Sequence, residues 1–305
     1  METVDKEDLE EGLVVDRQPP RRYGFWIHGK GDPRAKPWAL ILFSGKSRRG
    51  DLQRALAHKG WRVCAIDTVA PKATNLLCDA TWDSIHTDIE HGNFEAIWIA
   101  TPCETFSPLR EKRPGPRVLR TLDRTQGLPK DSLSQGEQKQ LKESNILVDR
   151  SVSAATSQTR AKKPWGLENP DHGEDRPSLW HMPRVKALID GCSDLDIKFD
   201  QCRLGLSTTK PTRLLLYKTD LSQLHNLRCN HPIQTYQRED GSTGRGPHIP
   251  TVQRWVVNEK GEKERASKSQ GQYTPEFSEA IAGAFHASQA GAQWLKDELG
   301  SEELP

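Results

Sequence analysis

Short apolar runs bounded by glycine and polar turns alternate with helical periodicity through the first half of the chain. Trp38-Ala39-Leu40-Ile41-Leu42-Phe43 is an apolar run stopped by Ser44-Gly45, which predicts a buried strand. From about Gly50 to His58, Leu52, Ala55 and Leu56 fall at i, i+3 and i+4, which predicts a helix closed by Gly60. Trp61 to Asp67 reads as a second strand and Ala96 to Ala100 as another. Strand, glycine turn, helix and strand in quick succession make a βαβ unit, hence a parallel sheet with right-handed crossovers. Ligands of such sheets bind at the carboxyl ends of the strands, which directs attention to Gly45, Asp67, Asp79 and the stretch Thr101 to Ser107.

Beyond that unit, Pro108 to Gly136 is rich in Pro, Gly and Arg and predicts a long loop, of the kind that is usually functional or disordered. A helix is expected from about Glu137 to Arg160, a strand over Pro164–Pro170 ending in a polar turn, and a later strand over Arg213–Tyr217. Near the end, Phe277, Ile281, Ala284 and Phe285 fall on one face of an amphipathic helix from Pro275 to about Glu298. Residues 1 to about 20 read as a charged tail ending in Pro19-Pro20, and the Tyr23–Trp38 stretch receives no assignment. The chain shows no internal repeats.

Composition narrows the class. The 305 residues suffice for one substantial α/β domain and a smaller appendage. Lys and Arg total 44 against 42 for Asp and Glu, so net charge says nothing about nucleic acid and only local clustering can. The acidic start, Met1 to Asp16, lacks the apolar core of a secretory signal. No apolar run approaches the roughly 20 residues that span a bilayer. The six cysteines lack CxxC spacing and imply reduced thiols in an intracellular protein, nuclear in a eukaryote or cytoplasmic in a bacterium or phage, with no membrane partner.

Several residues carry candidate chemistry. Cys103 directly follows the strand predicted over Ala96–Ala100. A thiol there is well placed to face a ligand as a nucleophile, although cysteine is equally at home as a small core hydrophobe. Glu168, in Leu167-Glu168-Asn169-Pro170, ends another apolar stretch. A carboxylate at that point serves as a general acid, as a partner for a ring nitrogen, or merely as a solvated turn residue. Phe43-Ser44-Gly45, then Asp67 and Asp79, are the usual parts of a nucleotide pocket.

In order and spacing these elements resemble the cytosine-C5 DNA methyltransferase family, most closely its compact phage and mobile-element branch. Leu42-Phe43-Ser44-Gly45 matches the first motif, Gly60-Trp61-Arg62-Val63 through Asp67 the second, and Cys78-Asp79-Ala80-Thr81-Trp82-Asp83 the third. Thr101-Pro102-Cys103 with Phe106-Ser107 stands for the Pro-Pro-Cys segment, and Glu168-Asn169-Pro170 is intact. Cys202-Arg203-Leu204-Gly205 and Lys210-Pro211-Thr212-Arg213 complete the series, so the resemblance covers roughly residues 38–220.

The resemblance implies a Rossmann-like class I S-adenosylmethionine-dependent methyltransferase sheet with helices on both faces and a small C-terminal target-recognition region. It divides the chain into a tail and arm (1–37), a catalytic domain (38–220), a recognition region (221–274) and a helix packing back on the catalytic domain (275–305). It implies S-adenosylmethionine as cofactor and DNA as partner of a monomer, methylated after base flipping. Cys103 would attack C6 of cytosine and Glu168 would hold N3, with Lys210 and Arg213 near the flipped base or its phosphate. In the cofactor site Phe43 would pack on adenine, Asp67 bind the ribose and Asp79 the adenine amine, flanked by Ser44, Gly45, Thr101 and Pro102. The loop from Pro108 to Arg124, with six basic residues against two acidic, would grip phosphates.

Ser47 stands where the family's first motif carries a second glycine, and Thr101 replaces the first proline of the Pro-Pro-Cys segment. A catalytically silent DNA-binding relative is therefore an alternative, and so is an RNA cytosine methyltransferase. Cys229, His231 and His248 are conceivable zinc ligands, but their spacing fits no standard pattern and the expectation is no metal site.

Overall fold

The computed structural model describes residues 13–16, 25–29, 37–45, 47–67, 75–111, 116–238, 241–249, 255–257, 263–265 and 272–299. The first half comprises β1 (Leu13–Asp16), β2 (Phe25–Gly29), β3 (Trp38–Leu42), α1 (Leu52–His58), β4 (Arg62–Ile66), α2 (Asp79–Glu90) and β5 (Ala96–Ile99). After a long connection come α3 (Gln135–Arg160), β6 (Trp165–Pro170), α4 (Pro183–Cys192), β7 (Leu195–Asp200) and β8 (Pro211–Tyr217). Two small hairpins, β9 (Gln234–Gln237) with β10 (Thr243–Gly246) and β11 (Trp255–Val257) with β12 (Lys263–Arg265), precede α5 (Pro275–Leu299).

Eight strands form one sheet in the order β1-β2-β4-β3-β5-β6-β8-β7. β4, β3, β5 and β6 run parallel, β8 lies antiparallel between β6 and β7, and β2 pairs antiparallel with β4. The central strands are apolar without alternation because both faces are covered. Leu40, Leu42, Ile97, Ile99, Leu167 and Leu215 pack under α2, α3 and α4. The alternate residues Ala39, Ile41, Val63, Trp98, Leu214 and Leu216 pack under α1 and α5. This is the mixed α/β sheet flanked by helices that the hydrophobic pattern predicts.

Helix limits follow from their caps. Asp51 accepts the Arg54 amide at the start of α1, and Ser134 with Glu137 forms a capping box that starts α3 two residues earlier than the apolar pattern suggests. On α5, Phe277, Ile281 and Phe285 are fully buried, with Phe277 and Phe285 edge-on to Trp98. Among the described residues no helix is long and apolar enough to cross a membrane.

Two expectations are corrected. The tail read over residues 1–20 includes β1, and the unassigned stretch from Tyr23 supplies β2, so both extend the sheet edge. In the basic loop from Pro108 to Arg124, expected to present its charges to phosphates, two of the six basic residues instead turn inward. Arg120 is fully buried, hydrogen-bonded to Thr105, Ser144, Asn145 and the Thr125 carbonyl, and lies over the Phe106 ring. Arg110 is buried against the Glu104 and Arg117 carbonyls and Gln140, and Arg117 donates to the Ser132 carbonyl. The loop has little apolar material beyond the cluster of Leu119, Leu133 and Leu141, and guanidinium forks satisfy its carbonyls instead.

Candidate functional site at the switch point of the sheet

Strand order reverses at β3, with β4 on one side and β5 on the other, which opens a crevice at the carboxyl ends of β3 and β5. The chain leaves β3 through Phe43 (φ 64°) and Gly45 (φ 71°), both left-handed. That conformation is a genuine outlier for a bulky aromatic, and such strain persists where surrounding structure enforces it, often at ligand sites. The turn is tied to β4: the Ser44 amide donates to the Ile66 carbonyl at 3.1 Å and the Gly45 amide to Asp67 Oδ2 at 2.5 Å. A Cβ at Gly45 would meet nothing within 4 Å, so the space beside its backbone is free. Phe43, Ser44, Gly45, Arg48, Trp98 and Tyr273 line a solvent-open cleft here.

Beside the cleft, three strand ends bring together Cys103, Glu168 and Lys210. Cys103 follows β5 and is half-buried at the head of a single 3₁₀ turn, Glu104–Phe106. Glu168, on β6, is only 5% exposed. Its Oε2 accepts the Tyr273 hydroxyl at 3.0 Å, while Oε1 faces Lys210 Nζ at 3.7 Å and Gln201 Nε2 at 3.4 Å. Lys210 precedes β8 in a left-handed conformation (φ 35°), a second non-glycine outlier in the site. Burial pushes the Cys103 thiol up to about 11; the Lys210 ammonium opposes that rise and the Glu168 carboxylate adds to it. The thiol is therefore protonated at neutral pH, and the two neighbouring charges control how readily it ionises.

Asn169 holds this arrangement. Its amide donates to the Thr101 carbonyl at 2.6 Å, so the residue after Glu168 grips the chain two residues before Cys103. Thr101 is itself buried, hydroxyl to hydroxyl with Ser151 at 2.7 Å, and so supports the turn from within α3. Asn169 Oδ1 and Gln201 Oε1 are buried with no hydrogen-bond partner among the described residues, and open polar atoms of this kind call for an explanation such as a ligand or water.

The remaining candidates are distributed differently. Phe43, Ser44 and Gly45 line the cleft, and Asp67 lies against Gly45. Asp79, at the start of α2, is ion-paired with Arg150 and is not among the cleft-lining residues. Thr101 and Pro102 are not either, and Thr101 acts through its backbone and its bond to Ser151. Arg213 is a correction. Strand alternation puts it on the face opposite Glu168, where it pairs with Asp196 (Nε to Oδ1, 2.7 Å) over the Trp180 ring. It therefore does not join Cys103 and Glu168. Ser47 turns its hydroxyl to Arg54 at 2.8 Å.

Sequence reasoning missed Arg48, Gln201 and Tyr273. Arg48 donates to the Tyr273 carbonyl at 2.5 Å, and Tyr273 also accepts Trp98 Nε1 at 3.0 Å. Nothing local marks these residues, because each acts on a partner brought from a distant element. Away from the cleft, Cys229, His231 and His248 converge with Cys202 of the Cys-x-x-Gly segment, their ligand atoms all within 4.8 Å of one another.

No protein-family model matches the chain, and no curated protein matches it in sequence.

Proposed function

We propose that this protein is an S-adenosylmethionine-dependent methyltransferase acting on C5 of cytosine in DNA, with Cys103 as nucleophile. The observation that carries this reading is the meeting of Cys103, Glu168 and Lys210, from three strand ends, beside the cleft at the switch point. The residues that line the cleft suit the cofactor. Phe43 offers an aromatic face, Gly45 open space and Arg48 a cation, with the Asp67 carboxylate bound to the same turn. Phe43 would pack on the adenine, Asp67 would take the ribose hydroxyls and Arg48 would meet the carboxylate; Asp79, tied to Arg150, has no part in this reading. The cofactor supplies an electrophilic methyl group.

The chain's own residues would act through charge. Burial foremost keeps the proton on Cys103, with the Glu168 carboxylate adding to that hold and the Lys210 ammonium opposing it. Passage of the Cys103 thiol proton by way of Glu168 to cytosine N3 would leave a thiolate that Lys210 favours. Attack by Cys103 Sγ on C6 then forms the S–C bond, and the electron pair of the C5–C6 double bond makes C5 nucleophilic. After methyl transfer, loss of the C5 proton and expulsion of the thiolate restore the ring. Glu168 and Lys210 stabilise the charge that develops during attack, the usual source of most of the rate. Asn169 is a positioning residue, since it fixes the spacing of Cys103 and Glu168.

The test is calorimetric titration of S-adenosylmethionine and S-adenosylhomocysteine, followed by methyl transfer to DNA and, in parallel, to RNA. Micromolar binding, roughly −8 kcal/mol, is expected, weakened by Asp67→Ala, with transfer abolished by Cys103→Ser. Folded protein that binds neither ligand would overturn the proposal. The second reading, a silent DNA-binding relative, draws on the Tyr273 hydroxyl that already engages Glu168; it requires DNA binding with no cofactor binding.

A further inference from the structure

We propose that Cys202, Cys229, His231 and His248 bind one zinc ion, and that this ion fastens the segment after β8 to the main sheet. None of the four residues lines the cleft, and the ion would be held whether or not the protein transfers methyl groups.

The first argument is distance. Cys229 Sγ faces His231 Nδ1 at 3.5 Å and His248 Nε2 at 3.4 Å, the centroids of the two imidazoles lie 4.7 Å apart, and the Cys202 thiol lies within 4.8 Å of all three ligand atoms. Zinc–sulfur bonds of about 2.3 Å and zinc–nitrogen bonds of about 2.0–2.1 Å give a tetrahedron whose S···N edges are about 3.5 Å. The observed sulfur–nitrogen separations match that edge. Four protein ligands of this softness in a tetrahedron select zinc and leave no open position, which makes the site structural.

The second argument is what surrounds the ligands. Cys202 sits in a single 3₁₀ turn, Gln201–Leu204, directly after β7. Cys229 is set by main-chain contacts to the end of β7: its amide donates to Asp200 Oδ2 at 2.7 Å, and the Asp200 amide donates to the Leu227 carbonyl at 2.9 Å.

The third argument is need. None of the described residues from 228 to 249 belongs to a hydrophobic cluster, and Ile233 stands 63% exposed. A two-stranded hairpin of four-residue strands without an apolar face is marginal in water, and small segments of this kind are held by a metal or a disulfide. Here the ligands at the base of β9 and after β10 meet Cys202, whose neighbour Gln201 touches Glu168. The ion would thus couple the hairpin to the wall of the candidate active site.

The experiment uses the full-length chain, purified without chelator or metal-affinity resin. Elemental analysis is expected to find one zinc per chain. Exchange with cobalt should give the intense visible absorption of tetrahedral Co²⁺ with thiolate ligands. Cys229→Ser should abolish both signals; if that variant does not fold, His231→Ala, at an exposed position, should weaken zinc retention and expose the hairpin to limited proteolysis while the sheet resists. The proposal is overturned by folded protein with no zinc and no tetrahedral cobalt spectrum, by zinc content unchanged in both variants, or by a Cys202–Cys229 disulfide in the purified protein.

Discussion

Replacing Tyr273 with phenylalanine removes a single hydroxyl from the candidate site, and the structure gives both interactions that disappear. The phenol donates to Glu168 Oε2 at 3.0 Å and accepts Trp98 Nε1 at 3.0 Å. A hydrogen bond to a charged group contributes about 1.5–3 kcal/mol, and leaving the indole N–H without its partner costs about 1–3 kcal/mol more. The two losses share one atom and do not simply add, so Tyr273→Phe is expected to lower stability by about 3 kcal/mol. Burial, foremost, and the Glu168 charge hold the phenol well above its usual range. The loss should therefore be the same throughout the neutral range. Urea unfolding monitored by tryptophan fluorescence and by circular dichroism gives the change from the midpoint at constant m. The decisive form is a double-mutant cycle with Glu168→Gln, in which the coupling between the two side chains should exceed about 1 kcal/mol. A coupling under about 0.3 kcal/mol would refute the reasoning, because Tyr273 would then be stabilising through its ring alone.

Cys103 should alkylate slowly with iodoacetamide at neutral pH, with its rate rising toward a midpoint near 11 rather than the 9.0 of an ordinary thiol; Glu168→Gln should lower that midpoint and Lys210→Met raise it. The raised value also has a stability consequence: the contribution of the protonated thiol is complete below pH 9 and is lost as pH rises through 11, at most about 3 kcal/mol, so wild type should lose more stability across that window than Cys103→Ser. Asn169→Ala leaves the buried Thr101 carbonyl without its partner and should cost about 1–3 kcal/mol; methyl transfer should fall through kcat more than through KM, and an equal loss in DNA affinity would contradict a positioning role. Gly166→Ala would bring a Cβ within 2.3 Å of the Trp98 ring; thermal denaturation should register at least 1–3 kcal/mol of overpacking, whereas an unchanged melting temperature would mean that Trp98 moves freely.

Local order was legible along the chain wherever one element's own spacing carries the information. β3 and β5 are short enough and apolar enough to announce burial on both faces, and α5 shows its buried stripe in Phe277, Ile281 and Phe285. Glycine turns and the residues just past strand ends pointed to Gly45, Cys103 and Glu168, because a parallel sheet exposes its carboxyl ends to ligands whatever the details of packing. What stayed hidden depends on which distant residues the topology makes neighbours. Tyr273 meets Glu168 across 105 positions of sequence, and Cys202 meets Cys229 and His248 only because the chain after β8 returns along the end of β7. Strand pairing placed Arg213 behind Glu168 rather than beside it, and the inward turn of Arg110 and Arg120 made structural a loop whose composition reads as a surface for phosphates. Hydrophobic period is a property of a few consecutive residues, so it survives in the sequence. A site assembled from side chains of five elements is a property of their packing, and it exists only once the sheet has closed around it.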